Sequence, residues 1–217
     1  MAKLGVDWQQ PKLEGYDSID PANLLTALPE QYRDGRPVVV FLTSEDPEAA
    51  GGMKLASGVL ADERVAIGSK MFHVVKMDGD KISRDHVHAA TLAGKALPRF
   101  VVLDGGTGKK VGSIEYRPTP SSLFALMKKA AAKAYKSDIE KVIKDYQKML
   151  TELDKVEAKR NALRVKKGAA SEELVGAKER KLQQEEAAIE KDAEKLAAAE
   201  TELLKFELKA GKDVAKG

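Results

Sequence analysis

Short apolar runs set between turn residues occupy the first half of the chain, and a seven-residue apolar repeat occupies the second. The stretch "PVVVFL", Pro37 to Leu42, is β-branched and aromatic, follows Gly35, and predicts a buried strand. Phe72 to Met77 ("FHVVKM") predicts a second strand and Phe100 to Leu103 a third. "DGGTGKK", Asp104 to Lys110, reads as a hairpin turn into a strand over Val111 to Tyr116. Asn23 to Gln31 carries a helical pattern that Pro29 ends or kinks. Glu48 to Leu60 predicts a helix weakened by Gly51, Gly52 and Gly58. Strands alternating with helices up to about Tyr116 indicate an α/β domain.

From about Ser121 the composition shifts to Ala, Glu, Lys and Leu, with no proline. Thr119 is placed to cap a helix whose first residue is Pro120. From Ile139 the apolar positions Val142, Tyr146, Met149, Leu153, Val156 and Leu163 keep 3-4 spacing, broken at Arg160. "KKGAAS" interrupts the pattern and predicts a turn near 167–170, with Ser171, Glu172 and Glu173 opening a second helix. That helix repeats every seven residues at Val175, Leu182, Ile189, Leu196 and Leu203. The expectation is one helix of about 45 residues that folds back on a second. In that register Leu163 pairs with Val175, Val156 with Leu182, Met149 with Ile189 and Val142 with Leu196. Arg160 then opposes Lys178, a weak layer. Ile143 and Leu150 lie one position past the seam, and Leu204 and Leu208 flank its end; these four form a candidate partner surface. The expected division is an N-terminal extension (1–20), an α/β domain (21–130) and an antiparallel helical hairpin (131–212).

Charge supports that pairing. The first helix (121–167) carries thirteen basic and six acidic residues, the second (171–210) seven basic and eleven acidic. Opposite signs across a seam favour this partnership over self-pairing of either helix. The basic helix therefore reads as half of an internal ion-pairing scheme, and nucleic acid is an unlikely partner, since the aromatic residues that stack bases are missing. The net charge of the 217 residues is only +3, and 33% of them are charged against 5% aromatic, which suits a helical, solvated chain. Cysteine is absent, which excludes disulfides, thiolate metal sites and thiol catalysis. No run reaches membrane-spanning length and the first residues lack a secretory apolar core. A cytoplasmic location is the default expectation, with a periplasmic or secreted mature form equally compatible.

The candidate chemical motifs fail on their own terms. "GGTGKK" puts Lys110 where a phosphate loop needs Ser or Thr and Leu103 where it needs its first glycine. "MDGDKISRDHVH" begins like a calcium loop, but Ser83 replaces its glycine and Ala89 its bidentate glutamate. His73, His86 and His88 suggest no metal triad, so neither metal nor cofactor is expected. Thr43 and Ser44 lack an elbow motif or an adjacent base. Glu45, Asp46 and Glu48 serve more simply as caps of the helix that follows.

In order and in local detail the first half resembles a thioredoxin-like domain, over roughly Pro21 to Ala130. "RPVVVFLTS" is similar to the central strand before the redox loop, and "FHVVKMDGD" to the next parallel strand. "ALPRFVVLDGGTGKKVGSIEY" resembles the cis-proline and terminal hairpin, with Pro98 in the cis-proline position, and "PSSLFALMKKA" the closing helix. The resemblance places Asp46, Pro47, Glu48 and Ala49 where the two-cysteine motif belongs. Both thiols are missing, and disulfide exchange needs a thiolate. It also implies a candidate peptide groove at Leu97 and Pro98, open to strand addition. Glutathione transferases share such a domain and work without cysteine, but no Glu-Ser pair follows Pro98 to hold a peptide's amino end.

The expected fold is therefore an α/β thioredoxin-like domain followed by a long antiparallel α-helical coiled-coil hairpin. The expected function is that of a redox-inactive, non-enzymatic scaffold, attached through the hairpin to a protein partner or a second copy, with no small-molecule substrate. The alternatives are a thiol-independent enzyme of the glutathione-transferase kind and a nucleic-acid or ribosome-associated factor using the basic helix.

Overall fold

A computed structural model describes residues 6–9, 23–44, 58–82, 84–115, 117–169 and 176–209. Two compact units emerge: one spans Lys144–Lys205, and the other holds the described residues up to Ile143 together with 206–209.

The second of these is built on a mixed four-stranded sheet of order β2-β1-β3-β4. Strand β1 (Val38–Thr43) pairs parallel with β2 (His73–Asp78) and antiparallel with β3 (Arg99–Leu103), which pairs antiparallel with β4 (Lys110–Ile114). The apolar runs of β1 and β3 are continuous because both faces of these strands are covered. On one face Val38, Val40, Leu42, Val101 and Leu103 pack under Leu24, Leu28, Tyr32 and Leu92. On the other, Phe41 stacks on Phe100 with ring centres 4.7 Å apart, and Trp8 tilts over both at 5.3 and 6.5 Å. Gln9 extends the sheet at the outer side of β2, donating to Val74 O and accepting from Lys76 N.

The helix expected over Asn23–Gln31 is two short 3-10 turns, Leu24–Ala27 and Glu30–Tyr32, divided at Leu28–Pro29. Asn23 caps the first through its side chain, and proline cannot donate the bond that would join them. Of the helix expected over Glu48–Leu60, residues 58–60 are helical and the rest lies outside the described residues. Helix α1 (Glu63–Ser69) was not anticipated; Asp62 caps it by accepting from the Arg64 and Val65 amides. A single helical turn, α2 (Ala89–Leu92), precedes β3. Helix α3 (Pro120–Ala134) starts as expected, with Thr119 and Ser122 forming a reciprocal capping box.

The long first helix is not continuous. It breaks at Tyr135, which is extended, and Asp138 then caps α4 (Ile139–Ala169) by accepting from the Glu140 amide at 2.7 Å. At the break Tyr135 is 1% exposed and donates its hydroxyl to Met71 O, so burial and a hydrogen bond hold the extended residue in place. Ile139 and Ile143 meet Gly68 on α1, where their methyls and Met127 Cε leave little room for a side chain. Ile143 is thus a core residue of the globular unit, not a partner surface.

At the lower end of the sheet, a polar cluster ties β2 to the turn before β1. The ring Nε2 of His73 is 2.9 Å from Asp34 Oδ1, and Asp34 Oδ2 also pairs with Arg36 Nε at 2.7 Å. Burial pushes the His73 imidazole below its ordinary range, against the pull of Asp34. Burial would raise Asp34, but hydrogen bonds from the Arg36 amide, His73 and the Arg36 side chain outweigh it and hold the carboxyl low. Both shifts have one sign: the unfolded chain takes up protons first. The His73 contribution is complete above its ordinary value of about 6.5 and is lost as pH falls below it. The Asp34 contribution is complete above about pH 4 and is lost below that. Urea midpoints should therefore drop in two steps on acidification. His73→Gln should flatten the upper step, leaving a residual slope from His86, which burial also holds low. An unchanged upper step in that variant would assign it elsewhere.

Candidate functional site

The C-terminal ends of β1 and β2 meet the N-terminal end of β3, because β1 and β2 run parallel and β3 opposes them. Here the Leu97–Pro98 peptide bond is cis. Pro98 is buried, and the half-buried Leu97 lies against Gly79, where an added Cβ would stand 2.4 Å from Leu97 Cδ2. A side chain at Gly79 would therefore force the Leu97 side chain to move. Gly79 N donates to Thr43 O at 2.8 Å, tying the loop after β2 to the end of β1. Ser44 Oγ donates to Asp80 Oδ2. This bond also ties the end of β1 to the loop after β2. Asp46, Pro47, Glu48 and Ala49, expected at the redox-loop position, lie outside the described residues.

The loop before β3 is braced from beneath by groups that the sequence did not single out. Glu115 Oε2 accepts from the Lys95 amide at 2.9 Å, and Arg99 Nη1 donates to Ala96 O at 3.3 Å. Arg99 is 3% exposed, and its Nε has no hydrogen-bond partner among the described residues. Burial lowers the pKa of its guanidinium, opposed by the nearby Glu115 charge.

The other motifs resolve into structure. In "DGGTGKK" the Gly106 and Thr107 amides donate to Asp104 Oδ1 at 3.1 and 2.9 Å, so a carboxylate of the chain itself occupies the donors a phosphate would need. Gly108 sits at φ +67°, and a Cβ there would collide with Asn23. His86 Nδ1 accepts from the His88 amide, while His73 serves the Asp34 cluster. Among the described residues no group of three or more His, Asp or Glu side chains is placed to hold a metal ion.

In the helical unit α4 lies beside α5 (Ala177–Leu203). Val156, Leu163 and Ile189 are buried together, with Leu182, Ala193 and Leu196 packed around them. Met149 is also buried, as is Val142 in the globular unit; Leu203 is half-buried, and Val175 lies outside the described residues. Four ion pairs flank the stripe: Lys159–Asp192 at 3.2 Å, Arg160–Glu190 at 2.8 Å, Lys166–Glu185 at 3.0 Å and Lys167–Glu186 at 2.6 Å. Further along, the Tyr146 hydroxyl donates to Glu200, and its burial, with that carboxylate, pushes its pKa up.

Two expectations are corrected here. Lys167 and Gly168, placed in a turn by the sequence, belong to α4, which continues to Ala169. The register moves accordingly: Leu163 meets Ile189 rather than Val175, and Ile189 no longer faces Met149. A helical glycine costs only about 1 kcal/mol, and nothing crowds Gly168. The added turns bring Lys166 and Lys167 to acidic partners, and Arg160 meets Glu190 instead of Lys178.

The candidate partner surface shrinks as well. Leu208 is seated on Gly35, its Cδ1 3.0 Å from where a Cβ would stand, and Leu150 and Leu204 are half-buried. Val165 is the one large apolar side chain strongly exposed among the described residues. No described helix is long and apolar enough to cross a membrane. No family model matches the chain, and no curated protein matches it significantly.

Proposed function

We propose that this chain is a redox-inactive, thioredoxin-like scaffold or adaptor whose globular head carries an antiparallel coiled-coil hairpin for attachment to a protein partner. The observation that carries this reading is the helix pair. Its apolar stripe is flanked by cross-helix ion pairs in antiparallel order: Lys159 and Arg160 of α4 meet Asp192 and Glu190 of α5, and Lys166 and Lys167 meet Glu185 and Glu186. Exposed pairs of this kind add little stability, typically under about 1 kcal/mol each, but they discriminate between registers and partners. For the head, support comes from a parallel β1–β2 pair beside an antiparallel β3–β4 pair, with a cis-proline at the start of β3. The redox-inactive part of the reading is supported by composition: no thiol exists in the chain, and disulfide exchange needs a thiolate.

Lysine crosslinking in the native source, with the linked peptides identified by mass spectrometry, tests the attachment. Links to a partner should concentrate on the lysines of 139–203, relative to single-ended labelling of the free protein. Concentration on Lys81 and Lys95, beside the Leu97–Pro98 edge, would make the groove the attachment point instead.

A further inference from the structure

The chain leaves the globular unit after Ile143 and returns to it at Phe206. The returning residues do not simply trail past it. Leu208 bridges antiparallel to Tyr135, with Lys136 N donating to Glu207 O at 3.0 Å and Lys209 N to Ala134 O at 2.7 Å. Lys209 Nζ donates to Ala132 O at 2.6 Å, so a cation sits on the last carbonyls of α3, where the helix dipole favours it. Phe206 packs on the Tyr135 ring with centres 5.6 Å apart, and Leu208 fills the space over Gly35. Gly35 has φ +92°, a conformation that side-chain-bearing residues rarely adopt, and a Cβ there would stand 3.0 Å from Leu208 Cδ1.

We propose that Phe206–Lys209 is a reversible clasp that opens without unfolding the sheet, changing the helix pair from two points of chain attachment to one. The contacts that close it are few. Among the described residues they comprise two backbone bonds, the Lys209 Nζ bond to Ala132 O, a half-buried leucine, one ring contact and a Lys136–Glu207 ion pair whose side chains are 62% and 73% exposed. A segment held in this way opens locally at much less cost than the core strands. Tyr135 keeps its own anchor to Met71 O, so the seat survives when the clasp leaves. A partner that prefers either state shifts the balance by its difference in affinity for the two. The inference stands whether or not the head is thioredoxin-like.

Residue-resolved hydrogen exchange on the full chain tests it. In Leu208→Asp, exchange at the Lys136 and Lys209 amides should speed up about tenfold or more, as expected for losing a half-buried leucine, while Phe100 and Val101 keep their rates. Lys136→Cys with Glu207→Cys provides a lock in this cysteine-free chain. Oxidation should slow exchange at Lys209, and reductant should restore it, a readout that remains if Leu208→Asp fails to fold. Exchange of Lys136 and Lys209 only at the rate shared with Val101 would overturn the proposal. So would a lock whose reduction leaves Lys209 unchanged.

Discussion

Replacing Phe100 with alanine should lower the unfolding free energy of the globular unit by about 3–5 kcal/mol, the range for removing a fully buried aromatic side chain. Phe100 is 0% exposed, lies in β3 opposite Phe41 and stacks on it, with Trp8 tilted over both rings. The ladder between β1 and β3 limits how far the wall can close on the gap. Trp8 is the only tryptophan in the chain, so its emission reports the loss directly. Urea titration should show a lower midpoint with an unchanged slope. A change below about 1 kcal/mol would mean that the aromatic face is not part of the core.

Ile189→Asp should have a comparable effect on the other unit. Ile189 is 8% exposed and packs with Val156 and Leu163 in the apolar stripe. Replacing that apolar contact with a carboxylate that must be desolvated is costly enough to separate the helices. Most helical stability in proteins comes from packing of an amphipathic face rather than from intrinsic propensity. Ellipticity at 222 nm should fall sharply while Trp8 emission stays native. Exposed Glu194→Ala serves as the control and should change neither signal. Retention of full ellipticity by Ile189→Asp would remove the case for a mutually supporting pair.

The strands and the start of α3 were legible because each has a local cause: β-branched runs between turn residues, and a Thr-Pro cap. The register of the helix pair was not, for a definite reason. Both seams repeat every seven residues, so sliding one helix by fourteen, from Val175 to Ile189 opposite Leu163, still sets apolar against apolar. Only the point of reversal and the flanking charges separate such registers, and Gly168 suggested a reversal that the helix passes through. The break at Tyr135 left a trace in "YKSDIE", where Asp138 can cap, but helical composition on both sides masked it. The clasp left one too, in the alternation Lys205, Phe206, Glu207, Leu208, Lys209, a strand signature at the end of a helical repeat. Ile143 was misread because heptad spacing states which face a residue occupies, not what covers it. The brace of Arg99 and Glu115 depends on residues sixteen apart and has no local signature.

The central claim is that the head is a thioredoxin-like domain with an emptied redox loop, and installing the missing thiols tests it most directly. Asp46→Cys with Ala49→Cys restores the two-cysteine spacing in a chain that has no other cysteine. The account predicts that the wild-type chain does not catalyse reduction of insulin by dithiothreitol, and that the double variant does, with a reversible disulfide between the two new thiols. Catalysis by the wild-type chain would contradict it, as would a folded double variant with both thiols reactive and no catalysis.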